Sequence, residues 1–595
     1  MGNYRLGGMY MSLFKKKVKK QESAAPAAEP KSFVIIKNAP EKVDYMNDFA
    51  SLPKTYGTKK YFDREDIKAI HETVYAALDD LDAKTHFTEE LKNDRPVLIK
   101  PNLVFVYHNV GLDEKSYPEN TDPRVFDAVI AWLKKYTDDI TIIESAGKPY
   151  PTAIAFRAAG YDRIAKYRGT GLVALEEQPV VHYYLPKAEV MNEVYLPEIL
   201  DRVVKGEAFY VSVPKMKTNL YTGVTLGFKN AMGTIPYFLR ERNHTHQINK
   251  KLADLLYLFK PDLTVIDGII GGEGNTPAPV DPVQVHKIVA SNNSVEADRI
   301  TTKMMGYDPE KNELMIEATA RNFGDPNVQI IGDTSVTPFR PAITSLFDDL
   351  TVSDFPNIVA VAGHTMNDAP KITDPNAVTP EMALALEQAC HGGCLAAVKT
   401  GLEYFKYSKS MKQDFKVCFI MGPGVPINGE RYWFDRTGKP YTREDLGNLP
   451  MKKYGMGDCT LSTTRDICFW KATGCCDPEK NMSLTCLAGG ALLPILQPKD
   501  PWLLPIGLGA IRVVLKRMLY IAKGEYVDAP RFARDDRVFD LPKLSAAELE
   551  QNYINAPLPK MKLAEKVKQL IQQPYILGAA LPITILGQKK SNFHG

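Results

Sequence analysis

The chain has 595 residues, enough for two or three domains, with ordinary apolar content and a net charge of +3. That balance excludes a general nucleic-acid binder, because no long basic stripe follows the N-terminal run Lys15–Lys20. Eight cysteines in a chain this long are not a secreted disulfide framework, and all eight fall between Cys390 and Cys486. Two readings of them stay open: reduced thiols with a metal or redox role, or buried small apolar side chains.

Residues 1–31 read as a basic tail and disordered linker, with no signal peptide and with Met1 or Met11 as the start. A domain follows over 32–345. Ile67, Ile70, Val74 and Leu78 recur at helical spacing within 65–81. A strand is expected at 97–100, a helix at 124–136, a strand at 140–144 and a helix at 152–166. Strands at 208–213, 263–266 and 286–290 come next, then a helix at 295–306 and a strand at 328–332. This alternation predicts an α/β fold with a doubly wound, mostly parallel sheet.

A second, smaller α/β domain is expected over 346–482. It has strands at 357–363 and 415–424 and a helical pattern over 378–405. The remainder, 483–595, is apolar and amphipathic. Its segments 483–496 and 574–587 are too short to span a bilayer, and 502–522 carries Arg512, Lys516 and Arg517. The pattern fits an amphipathic helix on a membrane or in a partner groove, or a helix packed on the body or in a dimer interface.

Five apolar runs in the first domain each end in a polar, glycine-punctuated tail: VLIKPNLV, TIIESAGKPYPT, VSVPKMKTNLYTGVTLGFKNAMG, LTVIDGIIGGEGNTPAP and VEAD. Ligands of open α/β sheets bind beyond the carboxyl ends of the strands. Lys100, Asn102, Glu144, Lys215, Lys217, Lys229, Asn230, Asp267 and Glu273 are therefore expected to face one crevice. Lys100, Asn102, Lys215, Lys229 and Asn230 suit a small anionic substrate, by charge and by orientable amides. Asp267, Glu273 and Lys217 are the candidate catalytic groups, the carboxylates as acid, base or ligands of a divalent metal. The glycines of GGEG (271–274) would let backbone amides approach the ligand. His244 and His246 lie two apart and would share one face of a strand, as metal ligands or as part of a covering loop. The GGEG segment lacks the ending of a phosphate-binding Walker loop, and no dinucleotide fingerprint follows it.

The motifs IKPN (99–102), Gly160–Tyr161, PKMKT (214–218), LGFKNAMG (226–233), TVIDGIIGGEGNTP (264–277) and EAD (296–298) resemble the domain of unknown function 362 family over about residues 95–330. Some relatives in that family carry ferredoxin-like cysteine runs, so the resemblance implies an iron–sulfur setting for part of it. This chain has no C-x₂-C-x₂-C-x₃-C-P run.

Any cluster would use cysteines of another pattern. Cys459, Cys468, Cys475 and Cys476 are the candidate ligands of a 4Fe–4S cluster, which ordinarily takes four thiolates. Redox disulfide and structural roles remain open for them. The sequence leads to a cytoplasmic redox enzyme with peripheral contact on the inner face of a membrane. In it an iron–sulfur centre and an electron-transfer partner serve a small anionic substrate in the lysine-lined crevice. The alternatives are a non-redox enzyme dependent on a metal or anion, with structural cysteines, and a scaffold that binds membrane, a partner or a second copy of itself.

Overall fold

The computed structural model describes residues 31–49, 52–92, 95–104, 119–147, 151–240, 247–276, 281–366, 369–390, 394–407, 416–474, 481, 484–485, 487–488, 503–527 and 544–577. Its largest sheet runs in the order Gln329–Ile331, Phe33–Asn38, Asp281–Ser291, Leu263–Glu273, Phe209–Val213, Val97–Pro101, Ile140–Glu144 and Gly171–Ala174. Neighbouring strands are parallel except around Asp281–Ser291, which is antiparallel to both its neighbours. That strand follows Leu263–Glu273 after a short connection, so the chain returns as a hairpin without a crossover.

The central strands VLIKP and FYVSV are buried throughout, as expected where helices cover both faces of a parallel sheet. Alternate residues feed two apolar layers. Ile35, Ile99, Ile142 and Val211 join the helices Glu65–Thr85 and Pro123–Leu133 on one face. Val34, Leu98, Ile143 and Tyr210 join Ile248–Leu255, Ser294–Met304 and Glu313–Ala320 on the other. The sheet is thus doubly wound, and Ile67, Ile70, Val74 and Leu78 are all in its core.

The helix expected over 152–166 is two helices, Thr152–Ala159 and Tyr161–Arg168, divided at Gly160. Gly160 caps the first in the left-handed conformation (φ 90°), and a side chain there would meet Leu52 Cβ at 3.0 Å. The polar tail after Phe209–Val213 is itself a strand, Lys215–Asn219. It pairs with Leu263–Glu273 on one side and Gly223–Thr225 on the other.

A second, mixed sheet lies between residues 358 and 472. Its parallel strands Ile358–Ala362, Val417–Met421, Lys452–Met456 and Trp470–Ala472 are flanked by antiparallel Val425–Ile427, Glu430–Phe434 and Pro440–Thr442. A third, antiparallel sheet pairs Val180–Tyr184 with Glu193–Pro197 and with Ile554–Ala556, so the C-terminal region returns to the first domain. Buried His182 locks this return, with one ring nitrogen 2.9 Å from Glu193 Oε1 and the other 3.1 Å from the Pro557 carbonyl.

Candidate functional site

Lys100 and Glu144 end two adjacent parallel strands, which brings their side chains together at the carboxyl edge of the sheet. Lys100 Nζ donates to Glu144 Oε2 at 2.9 Å and to Asn230 Oδ1 at 2.8 Å. Glu144 also accepts from the backbone amides of Leu103 and Ser145. Asn102 Nδ2 donates to the same Asn230 oxygen at 3.0 Å, and Asn230 Nδ2 donates to Ser212 Oγ. Gly233 closes over the ion pair: a Cβ there would sit 2.6 Å from both Lys100 Nζ and Glu144 Oε1.

A second buried pair lies alongside. Lys215 Nζ donates to Asp267 Oδ2 at 2.8 Å, and the same oxygen accepts from the Asp122 amide. Asp122 caps the helix Pro123–Leu133 and pairs with Arg124, which also reaches Asp66.

Lys217 and Lys229 are held differently. Lys217 Nζ donates to Asn102 Oδ1 at 2.7 Å and to the Glu119 carbonyl at 2.5 Å, both uncharged oxygens. Lys229 makes no hydrogen bond or ion pair among the described residues. Asn102 and Lys229 are each 8% exposed, while Lys100, Lys215 and Lys217 are at 1% or less, so solvent reaches the cluster at the first two. Arg240 borders this side, its guanidinium donating to the carbonyls of Ser145 and Ala146.

Burial dominates the protonation equilibria. It lowers the Lys100 amine and raises the Glu144 carboxyl, each against the pull of the other. It raises Asp267 against the pull of Lys215. Lys217 is held well below the usual lysine range, first by burial and then by the charge of Lys229. Lys229 is lowered to about 7 by burial, with Arg240 and Lys100 adding to the effect. An amine near neutrality in a cleft can accept or deliver a proton at physiological pH.

Of the residues singled out from sequence, Lys100, Asn102, Lys217 and Asn230 share one hydrogen-bond network with Glu144, and Lys215 and Asp267 are paired beside it. Glu273 is elsewhere: the strand continues to residue 273, and its carboxylate meets the Arg340 amide at 2.7 Å. The glycine run also differs from expectation. Gly271 packs against Phe339, whose Cζ would be 2.5 Å from a Cβ at that position. Asp298 of the EAD motif accepts from the amides of Gly227 and Phe228, fixing the turn that carries Lys229 and Asn230. Its carboxyl is raised well above the usual range by burial. Asp122, Arg124, Ser212 and Arg240 were not read from the sequence. The Asp-Pro step at 122–123, a helix start beside the site, was the available signal for the first two.

Among the described residues Cys468 and Cys459 lie in different surroundings. Cys468 packs in an apolar cluster with Cys418, Leu461 and Trp433. Cys459 lies beside Cys394 instead. A Cβ on Gly457 would be 3.6 Å from Cys459 Sγ, 3.7 Å from Cys394 Sγ and 3.4 Å from the Gly474 carbonyl. Burial raises the Cys459 thiol to about 11, with Cys394 adding to the effect. His244, His246, Cys475 and Cys476 lie outside the described residues. Among the described residues no group of three or more His, Cys, Asp or Glu side chains is placed to hold a metal ion. Among them, too, no helix is long and apolar enough to cross a membrane.

Residues 97–303 match the family model described as domain of unknown function (DUF362). A thylakoid-associated protein of Synechocystis sp. is 26% identical over 226 residues, covering 36% of this chain and 64% of the relative. This chain therefore spans less than two thirds of that relative's length. No solved structure matches. The buried lysine network lies wholly within the span that matches this family model.

Proposed function

We propose that the lysine network is the active site of an enzyme acting on a small carboxylate or phosphate, with Lys229 as the proton-exchanging group. The contrast among the four lysines carries this reading. Lys100 and Lys215 have carboxylate partners, whereas Lys217 faces neutral oxygens and Lys229 faces none. A buried ammonium without a counterion is costly, and a bound anion would supply that counterion. It would also raise the amine's affinity for a proton, so anion binding and proton uptake at Lys229 are linked. Without the anion, the amine near pH 7 is partly neutral and serves as a general base. Asn102 and Asn230 orient the ligand, and Asp267 holds Lys215 in place.

Titration calorimetry with inorganic phosphate, in buffers of differing ionisation enthalpy, tests the reading. Wild-type protein should take up about half a proton at pH 7, and Lys229→Met should lose that uptake and bind at least about tenfold more weakly. Equal affinity and equal proton uptake in the variant would remove Lys229 from the site.

A second reading has its own observation. Cys394 and Cys459 meet beside Gly474, which directly precedes Cys475 and Cys476 in sequence. An iron–sulfur cluster would draw on this set in place of Cys468 and would supply electrons to the enzyme. Anaerobically purified protein with iron and acid-labile sulfide, lost in Cys394→Ser and Cys459→Ser but kept in Cys468→Ser, would support it. Colourless, iron-free protein from cells supplied with iron would end it.

The name of the Synechocystis relative bears on location. For this chain we propose peripheral association with a membrane surface.

A further inference from the structure

The helix Leu503–Lys523 has two apolar faces. Ile506, Val513, Val514 and Ile521 are buried against the body, and Gly509 allows the helix to approach Pro151 and Ile154 closely. On the opposite side Leu504, Leu508, Ile511, Leu515 and Leu519 recur at intervals of four and three, and every one is 51–70% exposed. At 100° per residue these five lie within one narrow outward stripe. The helix Leu563–Leu577 packs alongside, with Lys566 Nζ donating to the Ala522 carbonyl at 2.9 Å. It adds exposed Leu563, Val567 and Ile571 at spacing four. Scattered exposed leucines need no explanation, but apolar stripes on two helices packed side by side do.

The charges beside the stripe are one-sided. The helix Leu503–Lys523 has two arginines, two lysines and no acidic residue. Arg512 and Lys516 lie at the edge of its stripe and share the buried Glu177 carboxylate, at 2.7 and 2.8 Å. Beside the second stripe Lys560, Lys562 and Lys568 are exposed, against Glu565 alone.

We infer that these two helices are the membrane-docking face of the protein, and that the lipid surface they fit is anionic. The inference rests on the peripheral-membrane reading and adds the face and the lipid. Leucine side chains would enter the acyl boundary while the flanking cations meet headgroup phosphates. A second copy of the chain is the poorer fit, because pairing the stripes would bring these cations toward their own duplicates.

Flotation of the full chain with vesicles of phosphatidylcholine, alone or mixed with phosphatidylglycerol, tests this. Wild type should float with the mixed vesicles, less well as salt rises, and poorly with phosphatidylcholine alone. L508Q/L515Q should lower partitioning at least about tenfold, and K562Q/K568Q severalfold. Wild type and L508Q/L515Q floating equally would overturn this face and leave the peripheral reading standing. Wild type failing to float with either vesicle would overturn both. A wild-type dimer that L508Q/L515Q converts to monomer, without lipid binding, would assign the face to self-association and overturn the lipid proposal.

Discussion

The strand ends of the large sheet and the helix Leu503–Lys523 break the usual partition of residues in opposite directions. The first buries lysines at 0–8% exposure, and the second holds leucines at 51–70%. Folding alone explains neither, since charge is ordinarily solvated and leucine is most often buried. The comparison also separates two kinds of buried charge. Lys100–Glu144 and Lys215–Asp267 are matched pairs of opposite charge. Lys217 and Lys229 are buried amines without a carboxylate hydrogen bond among the described residues, the feature on which the proposed anion site rests.

The sharpest way to break that distinction is to remove a partner from a matched pair. Glu144→Gln keeps most of the shape but leaves Lys100 buried without its anion. Stranding one member of a buried pair costs about 3–5 kcal/mol, so urea unfolding should show a loss of that size. The double variant E144Q/K100M should recover much of it. A loss below about 1 kcal/mol would mean that the pair is already relieved in the native state, by proton transfer or by water.

Lys229 should behave in the opposite sense. Its amine is lowered to about 7 in the folded chain, against an ordinary value of 10.5. Between these values the unfolded chain binds more protons than the folded one, so stability rises with pH through that window. Below about 7 both forms are protonated and the destabilisation is complete. Lys229→Met should therefore stabilise the protein at pH 6 by roughly 2–4 kcal/mol and flatten the rise in stability between pH 7 and 10. Destabilisation by this variant would show that Lys229 is a matched charge after all, and the two classes would merge.

Much of the hydrogen-bond network was legible because its polar residues follow buried apolar runs. Position after an apolar run carried Lys100, Asn102, Glu144 and Asp267, and the same logic located the network around Asn230. It did not carry over to Glu273, which shares a motif with Asp267. The strand does not stop at residue 266 but runs to 273. There the Glu273 carboxylate accepts from the Arg340 amide. Arg240 was illegible because it belongs to no motif, and its donation to the carbonyls of Ser145 and Ala146 is a contact that no sequence pattern marks. The meeting of Cys394 with Cys459 was illegible because it is made by packing: each ends up beside Gly457 from a different helix. Spacing along the chain says nothing of such contacts.

The smallest expected effect tests the other half of the comparison. Leu515 faces outward at 60% exposure, and Ile521 on the same helix is fully buried. If the stripe has no intramolecular role, Leu515→Gln should change the unfolding free energy by less than about 0.5 kcal/mol. Ile521→Val is chemically far milder, yet it removes a buried methylene and should cost about 0.5–1.5 kcal/mol. The drastic change outside would then be cheaper than the conservative one inside. That ordering is what a surface kept apolar for an external contact requires. A Leu515→Gln loss larger than that of Ile521→Val would mean that the stripe is covered by the chain itself in solution, and the reason for its leucines would be internal packing.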